Sequence, residues 1–271
     1  MRVVLEAAGM ESMNSHWHDS APAMTAYAIV LSHVTKTFRG TQGREVTAIR
    51  DVSLAIPTGQ FVAIVGESGS GKSTLMHCAA GLTGPTAGAI DLAGTNLTML
   101  SPAKRSRFRS QHVGFIFQDY NLVSSLTVAE NIELPSRITP GRRASADTGE
   151  VLRSVGLADR AQHLPHELSG GEQQRVAIAR VLAGQPSVIF ADEPTSALDL
   201  GNSDLILRHL HHLSRRGATV VMVTHDVDAA SRADRAVVMA HGGTVDDFPN
   251  PTREQLIDRV MSAQWPQRQA L

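Results

Sequence analysis

This chain of 271 residues has little cysteine, no excess of charge of either sign and no long apolar run. Cys78 is its single cysteine, so no disulfide can form within the chain, which agrees with a reducing cytoplasm. Lys and Arg together number 25 against 26 for Asp and Glu, and this balance lacks the basic footprint of a dedicated nucleic-acid-binding protein. No apolar run approaches the roughly 20 residues that span a bilayer, so any membrane role requires a partner.

Hydrophobic periodicity divides the chain into three parts. Residues 1–26 carry no sustained period and do not resemble a signal peptide, so we expect a loosely ordered extension in which Met24 is an alternative start. Strand-like and helix-like segments then alternate over residues 27–245, with an inserted helical lobe at about 101–167. Residues 246–271 are expected to form a tail with one short helix. The alternation predicts an α/β fold with a mainly parallel sheet covered by helices on both faces.

A glycine-rich segment lies between the apolar run Phe61–Val65 and a helical pattern. It reads Gly66-Glu67-Ser68-Gly69-Ser70-Gly71-Lys72-Ser73-Thr74 and fits the phosphate-binding pattern of two glycines followed by Lys and a hydroxyl. Glycines let the backbone fold around an anion, and the following helix presents the positive end of its dipole to the same point. We expect the whole segment to contact a nucleotide, with Lys72 at the β- and γ-phosphates and Ser73 on magnesium.

Two adjacent carboxylates end the apolar strand Val188–Ala191. In an open parallel sheet the carboxyl ends of the strands face the ligand crevice. We therefore expect Asp192 to hold the magnesium shell, and Glu193 to orient or deprotonate the water that attacks the γ-phosphate. An Asp-Glu pair alone more often marks a strand that stops at a polar turn, but its combination with the glycine-rich segment favours nucleotide hydrolysis.

A second anion site is predicted at Ser169-Gly170-Gly171, before the helical run Val176–Leu182. Ser169 is a good helix N-cap, and the two glycines let a phosphate approach the exposed N–H groups. With its neighbours, the segment Leu168–Arg175 resembles the signature of the ATP-binding cassette (ABC) family. This resemblance implies that two copies pair head to tail, with each ATP between the phosphate loop of one chain and the signature of the other.

Other family elements appear in the expected order. Phe38 matches the aromatic residue that stacks on adenine, and Val46 is a candidate contact beside it. Gln118 matches the glutamine that senses magnesium and the attacking water. The resemblance also implies that Asp199 lies in a loop that crosses to the other subunit, and that His225 hydrogen-bonds the γ-phosphate.

The resemblance covers nearly all of residues 28–245 and in detail is nearest to the ATPases of the lipoprotein-release, macrolide-export and cell-division group. It implies a P-loop NTPase core with a mainly parallel sheet, an N-terminal antiparallel β subdomain and an inserted helical subdomain. One departure is Glu172, where many members of the family have Gln. An acid at the third helix position suits the helix dipole, so we expect the site to remain competent.

These features predict an ATPase subunit that uses ATP and Mg²⁺, forms a homodimer or pseudo-dimer, and drives a separate transmembrane permease. We expect it on the cytoplasmic face of the plasma membrane, with export favoured and no nucleic-acid partner. One alternative is a soluble ATP-switched clamp in DNA maintenance or translation, although the coiled-coil insertions and zinc-binding cysteines usual in such proteins are absent from the sequence. The other is a transmembrane signalling ATPase that moves no substrate, which the sequence does not separate from a transporter.

The segment from Gln118 to Ile132 is expected to form the groove that receives a cytoplasmic helix of the permease. Gln118 begins this segment at the predicted γ-phosphate site, and the apolar and aromatic residues beyond it lie where the family docks its membrane helices. Those residues are Tyr120, Leu122, Val123 and Leu126. Some of them are alternatively part of the core of the helical lobe.

Overall fold

A computed structural model describes residues 26–40, 43–139, 147–196 and 198–264. The expected N-terminal extension, including Met24, therefore lies outside the described residues except for Ala26. In chain order the strands are β1 (Tyr27–Arg39), β2 (Glu45–Pro57), β3 (Phe61–Val65), β4 (Ala87–Leu92), β5 (Thr95–Asn96), β6 (Val113–Ile116), β7 (Val188–Asp192), β8 (Thr219–Thr224), β9 (Arg235–Ala240) and β10 (Gly243–Pro249). The α-helices are α1 (Lys72–Ala79), α2 (Pro102–His112), α3 (Val128–Ile138), α4 (Thr148–Ser154), α5 (Gly170–Gly184), α6 (Leu200–Arg215), α7 (Val227–Ala230) and α8 (Arg253–Gln264).

The first sheet is antiparallel, with strand order β2-β1-β4-β5. Val52, Leu54 and Ile56 of β2 are buried while the residues between them are more exposed, because successive side chains of a strand point to opposite faces. The buried face packs against α1, which carries Leu75 and Met76 into the same core. This sheet confirms the antiparallel β subdomain predicted from the sequence.

The second sheet has the order β10-β9-β3-β8-β7-β6, in which β10 is antiparallel and the other strands are parallel. Every residue of β3 and β8 is buried, as expected for central strands of a parallel sheet with helices on both faces. The mainly parallel α/β fold is therefore confirmed.

Four neighbouring strands of this sheet end at the same edge. Val65 of β3 pairs with Thr224 of β8, Asp192 of β7 pairs with Val223, and Ile116 of β6 pairs with Ala191. The glycine-rich segment, His225, Glu193 and Gln118 follow these strand ends within two residues. Strand register alone therefore brings these predicted site residues to one edge of the sheet.

The helical lobe has a hydrophobic core of its own, built from α3, α4 and α5 and the segments between them. Its buried members are Val128, Ile132, Val151, Leu152, Val155, Leu157, Leu168, Val176, Ala179 and Ala183. We expected the lobe at about 101–167, but α2 packs elsewhere. Phe108 of α2 packs against the core that the first sheet, α1 and one face of the second sheet share, and Arg109 donates to the carbonyl oxygen of Gly81 at 2.7 Å. The lobe core instead extends through α5.

The C-terminal part begins with a strand rather than with the helix expected from about Asp246. Asp246 and Asp247 lie in β10, where Asp247 accepts hydrogen bonds from Arg235 of β9. Helix α8 starts only at Arg253 and buries Leu256 completely against the second sheet. The two acids hid the strand in the sequence because Asp is uncommon in strands, and their partners Arg235 and Arg259 lie elsewhere along the chain. No helix among the described residues is long and apolar enough to cross a membrane.

Candidate functional site

The glycine-rich segment forms a tight loop that only glycine fits at two positions. Gly66 and Gly71 have φ angles of 150° and 102°, in the region that favours glycine. A Cβ atom at Gly66 would lie 2.2 Å from the carbonyl oxygen of Met239, and one at Gly71 would lie 2.5 Å from that of Ala48. The backbone of the loop is therefore packed directly against other backbone, which fixes the directions of its N–H groups.

Lys72, the first residue of α1, lies inside this loop with only 7% of its surface exposed. Its ammonium donates to the carbonyl oxygens of Gly66 at 2.7 Å and Glu67 at 2.6 Å. Burial lowers the pKa of Lys72, and the nearby carboxylates of Glu193 and Asp192 oppose that shift. A cation that is buried and held by two neutral carbonyls gains by exchanging them for charged phosphate oxygens.

Ser73 and Asp192 meet beside the loop. The Ser73 hydroxyl donates to Oδ1 of Asp192 at 3.2 Å, across 119 residues of sequence. Burial raises the pKa of Asp192, while the Ser73 hydrogen bond and the charge of His77 partly offset that rise. A hydroxyl and a carboxylate oxygen next to a phosphate loop are the hard donors that Mg²⁺ takes, so these two residues fit that ion.

Glu193 follows β7 in a left-handed conformation, with φ 47°. The N–H of Glu193 donates to the carbonyl oxygen of Val223. Its carboxylate accepts hydrogen bonds from the Thr224 hydroxyl and the His225 N–H, each at 3.0 Å. Oε1 also lies 2.7 Å from Nδ1 of His225. The side chain of Glu193 is 15% exposed and that of His225 is 66% exposed. The end of β8 thus fixes the carboxylate, and the carboxylate holds the imidazole at the surface.

Ser169 caps α5, and the N–H of Glu172 donates to its Oγ at 3.3 Å. In return, Oε2 of Glu172 accepts from the N–H and the hydroxyl of Ser169, both at 2.9 Å. Oε1 of the same carboxylate accepts from Nε of Arg160 at 3.0 Å. These hydrogen bonds, the backbone one from Ser169 foremost, lower the pKa of Glu172 to about 2. No pattern in the sequence marks Arg160 as part of this site.

Asp199 caps α6 and is linked through hydrogen bonds of Asn202 to α5. Its Oδ1 accepts from the N–H of Asn202 at 2.9 Å, and its Oδ2 accepts from the Asn202 amide at 2.7 Å. These two bonds lower the pKa of Asp199. Oδ1 of Asn202 in turn accepts from Arg175 of α5 at 2.6 Å. A Cβ atom at Gly171 would lie 3.3 Å from the Asn202 amide. Asn202, which no sequence pattern marks either, links the N-terminal ends of α5 and α6.

Gln118 is exposed in the turn that follows β6. Two residues in left-handed conformation come next, Tyr120 with φ 59° and Asn121 with φ 48°. Arg180 of α5 donates to both of their carbonyl oxygens, at 2.9 Å and 2.7 Å. The position of this turn is therefore fixed from the helix that Ser169 caps.

The rest of the expected docking segment is also held from within the lobe. Asn131 is fully buried, and its amide binds the backbone of Val123, Leu126 and Thr127. Leu122 is half-buried against the lobe core, whereas Val123 is 39% exposed. The structure thus separates a core residue from a surface residue among the side chains that the sequence grouped together.

Phe38 and Val46 face each other across β1 and β2, and they are 43% and 55% exposed. The ammonium of Lys36 lies 4.9 Å from the centre of the Phe38 ring. An exposed aromatic ring beside an exposed apolar side chain offers a flat surface on which a base can stack.

The predicted residues form two clusters in one chain. The first, which we call the phosphate cluster, consists of Lys72, Ser73, Asp192, Glu193 and His225 with the glycine-rich loop. The second, the signature cluster, consists of Ser169, Gly171 and Asp199 with Glu172, Arg160, Arg175 and Asn202.

Comparison with known proteins assigns this arrangement to a family. The ABC transporter family matches residues 49–196, more than half of the chain. The uncharacterized ABC transporter ATP-binding protein YbbA of Escherichia coli is 42% identical over 81% of this chain and 97% of its own length. The macrolide export ATP-binding/permease protein MacB of Hyphomonas neptunium is 44% identical over 84% of this chain. The chain spans about a third of the length of the MacB relatives it matches.

A solved structure has the same fold. It is the dimeric post-hydrolysis state of the ATP-binding cassette MJ0796 bound to ADP and Pi, with a TM-score of 0.76 and 37% identity. The match covers 83% of this chain and 99% of that one. This chain therefore belongs to the ABC transporter family, as an ATPase that contains the ATP-binding cassette.

Proposed function

We propose that two copies of this chain pair head to tail, bind ATP and Mg²⁺ between them, hydrolyse the ATP and drive a separate transmembrane permease. The observation that carries the proposal is the presence of two anion-binding arrangements in one chain, the glycine loop around Lys72 and the α5 terminus capped by Ser169. The solved relative that is dimeric and bound to ADP and Pi supports this pairing.

Nucleotide binding relies on residues from both sheets. The N–H groups of the loop and the Lys72 ammonium bind the phosphates, while Phe38 and Val46 receive the adenine. Ser73, Asp192 and Gln118 would hold Mg²⁺, which when bound neutralises phosphate charge and orients the γ-phosphoryl group. Exchange of the carbonyl partners of Lys72 for phosphate oxygens favours a nucleotide because charged acceptors make the stronger hydrogen bonds.

Glu193 is the general base in this proposal. Its carboxylate is oriented by Thr224 and by the backbone of His225, so one oxygen is held ready to accept a proton from the attacking water. Nδ1 of His225 donates to Glu193, and Nε2 donates to the γ-phosphate when the imidazole carries a proton on both nitrogens. The pair of Glu193 and His225 therefore couples the position of the general base to the presence of the phosphate.

The second chain completes each site. Its Ser169, Gly170 and Gly171 present hydroxyl and N–H groups to the γ-phosphate, and its Asp199 crosses the interface. Because the Asn202 bridge joins Asp199 to α5, these contacts are made or broken together.

The turn at Gln118 connects hydrolysis to the permease. Arg180 and Asn131 tie the segment from Gln118 to Ile132 to the lobe, so a lobe that moves with the nucleotide carries this segment with it. The exposed side chain of Val123 then belongs to the groove that receives a helix of the permease. Association with a permease would place the chain at a membrane.

Export is the direction that the named relatives favour, because several of them are macrolide export proteins. A protein named for methionine import, MetN 3 of Pectobacterium atrosepticum, is nevertheless 45% identical over 80% of this chain. The transported substrate is in this account a property of the permease and not of the ATPase.

The Glu193→Gln chain tests the proposal through its oligomeric state. The carboxamide cannot take the water proton, so ATP should remain trapped and the chain should elute as a dimer in gel filtration with ATP and Mg²⁺. Lys72→Ala and Ser169→Arg, each added to this chain, should both abolish the dimer because they damage the two halves of one composite site. An ATP-dependent dimer that survives Ser169→Arg would contradict the head-to-tail arrangement.

A further inference from the structure

The carboxylate of Glu172 accepts hydrogen bonds from the same Ser169 donors that would bind a phosphate. Its Oε2 accepts both the N–H and the hydroxyl of Ser169, while the oxygen of that hydroxyl accepts from the N–H of Glu172. A serine hydroxyl has a single proton to donate. Before Ser169 can donate to a phosphate, its proton must therefore leave the carboxylate of Glu172.

The charge of Glu172 adds a second cost. The pKa of this carboxyl is lowered to about 2, so it is ionised at every physiological pH. A permanent negative charge in the first turn of α5 repels an incoming phosphate, whereas the helix terminus itself attracts it.

Arg160 offsets both effects. It ends the short 3₁₀ helix Ala158–Arg160, and its Nε donates to the carboxylate oxygen that Ser169 does not bind. The side chain of Glu172 is 19% exposed and that of Arg160 is 45% exposed, so the pair lies at the surface with the carboxylate more enclosed. Arg160 can keep its hold on Oε1 when Ser169 leaves Oε2, and it then remains as the counter-ion of the carboxylate.

We propose that Arg160 is a positioning residue of the signature cluster. By neutralising and holding Glu172, it frees the Ser169 hydroxyl for the γ-phosphate of the ATP that the other chain binds. The inference rests on the proposed head-to-tail dimer. It also gives the acid at position 172 a consequence, because a neutral glutamine there would need no counter-ion.

The test uses the Glu193→Gln chain and measures the ATP concentration at which half of the protein is dimeric. Arg160→Gln should raise that concentration on the order of tenfold, because Glu172 is left uncompensated beside the phosphate. Glu172→Gln should lower it several-fold. Arg160→Gln added to Glu172→Gln should shift it by less than about threefold, since the charge that Arg160 offsets has gone.

Two controls separate charge from folding. Arg160→Lys retains the cation and should restore most of the affinity for ATP. Arg153→Gln removes another exposed cation from the same lobe and should leave the half-saturating concentration unchanged. Thermal unfolding of each variant without nucleotide gives its stability independently, and a shift in stability alone would assign Arg160 a structural role and overturn the proposal.

Three other outcomes would also overturn it. Equal shifts from Arg160→Gln in the presence of Glu172 and in the Glu172→Gln variant would mean that Arg160 does not act through Glu172. An unchanged half-saturating concentration in Glu172→Gln would mean that the carboxylate does not compete with the phosphate, and this arm holds even where Arg160→Gln fails to fold. Failure of the Glu193→Gln parent to dimerise is a separate result, which overturns the proposed dimer and this inference with it.

Discussion

The phosphate cluster and the signature cluster are both suited to bind phosphate, but they are built in different ways. The geometry of the phosphate loop is set by backbone, because Gly66 and Gly71 adopt positive φ angles and press against the carbonyls of Met239 and Ala48. The signature cluster depends on side chains that bind one another, among them Ser169 with Glu172. The backbone of the first site is therefore formed in a single chain, and only Lys72 exchanges its neutral carbonyl partners for phosphate, whereas in the second site the Ser169 donors are bound to a carboxylate.

The two clusters also differ in the secondary-structure elements that carry them. The phosphate loop follows β3, which is buried along its whole length between helices. Ser169, Glu172 and Arg160 of the signature cluster lie on the helical lobe, which has a hydrophobic core besides the two that line the sheets, whereas Asp199 and Asn202 begin α6, which packs against the second sheet. A lobe with its own core can shift as a unit relative to the sheet. We infer that changes to the phosphate cluster impair nucleotide binding by one chain, and that changes to the signature cluster impair mainly the dimer.

The largest effect is expected from Gly66→Ala, which would place a methyl group 2.2 Å from a backbone oxygen. Binding of a fluorescent ATP analogue to the single chain should weaken by about a hundredfold or more, because the loop must move to admit the methyl group. Gly69→Ala is the matched control. Its φ is also positive, at 81°, but nothing lies within 4 Å of the added atom. Equal losses of affinity for the ATP analogue in the two variants would mean that close packing does not determine the conformation of the loop.

Glu193→Gln should lower the steady-state ATPase rate by a factor on the order of a hundred or more, with binding of the ATP analogue retained. With its oxygen in place of Oε1, the amide can still accept from the N–H of His225, and its NH2 group can donate to the Thr224 hydroxyl, so the local hydrogen bonds are largely kept. An ATPase rate equal to that of the parent chain would remove Glu193 from the mechanism.

Asn202→Ala should separate the two clusters most cleanly. The change breaks the bridge between Asp199 and Arg175 but leaves the phosphate loop untouched. In the Glu193→Gln chain we expect roughly a tenfold rise in the ATP needed for dimer formation, with the affinity of the single chain for the ATP analogue unchanged. A parallel loss of single-chain affinity would show that the clusters are not independent.

A smaller effect concerns stability and pH. The folded-state pKa of Glu172, about 2, lies below the ordinary value of 4.5, so its contribution is present above 4.5 and is lost as the pH falls towards 2. After discounting for solvent at this partly exposed pair, Glu172→Gln should lower the free energy of unfolding by about 1 kcal/mol at pH 7. Urea unfolding should show the difference closing between pH 4.5 and pH 2. A difference that stays constant over that range would contradict the assigned hydrogen bonds.

The sequence predicted the parts of the site whose chemistry is local. The glycine loop is a contiguous pattern, and Asp192 and Glu193 end a recognisable apolar strand. Arg160 and Asn202 were missed because their roles depend on contacts with Glu172 and Arg175, which only the packing of the lobe brings near. No local pattern distinguishes such residues from solvated surface residues.

Two boundaries of the fold were missed for the same reason. Helix α2 looks like the start of the lobe in the sequence, yet Phe108 packs against the core shared by the two sheets and Arg109 binds Gly81 just beyond α1. Strand β10 looks like a polar tail in the sequence because it carries Asp246 and Asp247. The cations that pair with these two acids lie on α8 and β9. In each case the sequence shows the composition of the segment but not the residues that it contacts, which lie far away along the chain.

Sharing of each ATP site between two chains is tested most directly by mixing two inactive variants. Lys72→Ala damages only the phosphate cluster and Ser169→Arg only the signature cluster, so each homodimer has no intact site. A heterodimer has one site with both lesions and one with neither, and random pairing should restore about a quarter of the parent sites. We predict that ATPase activity partly returns on mixing. A mixture that stays inactive, when cross-linking shows that heterodimers form, would contradict the account.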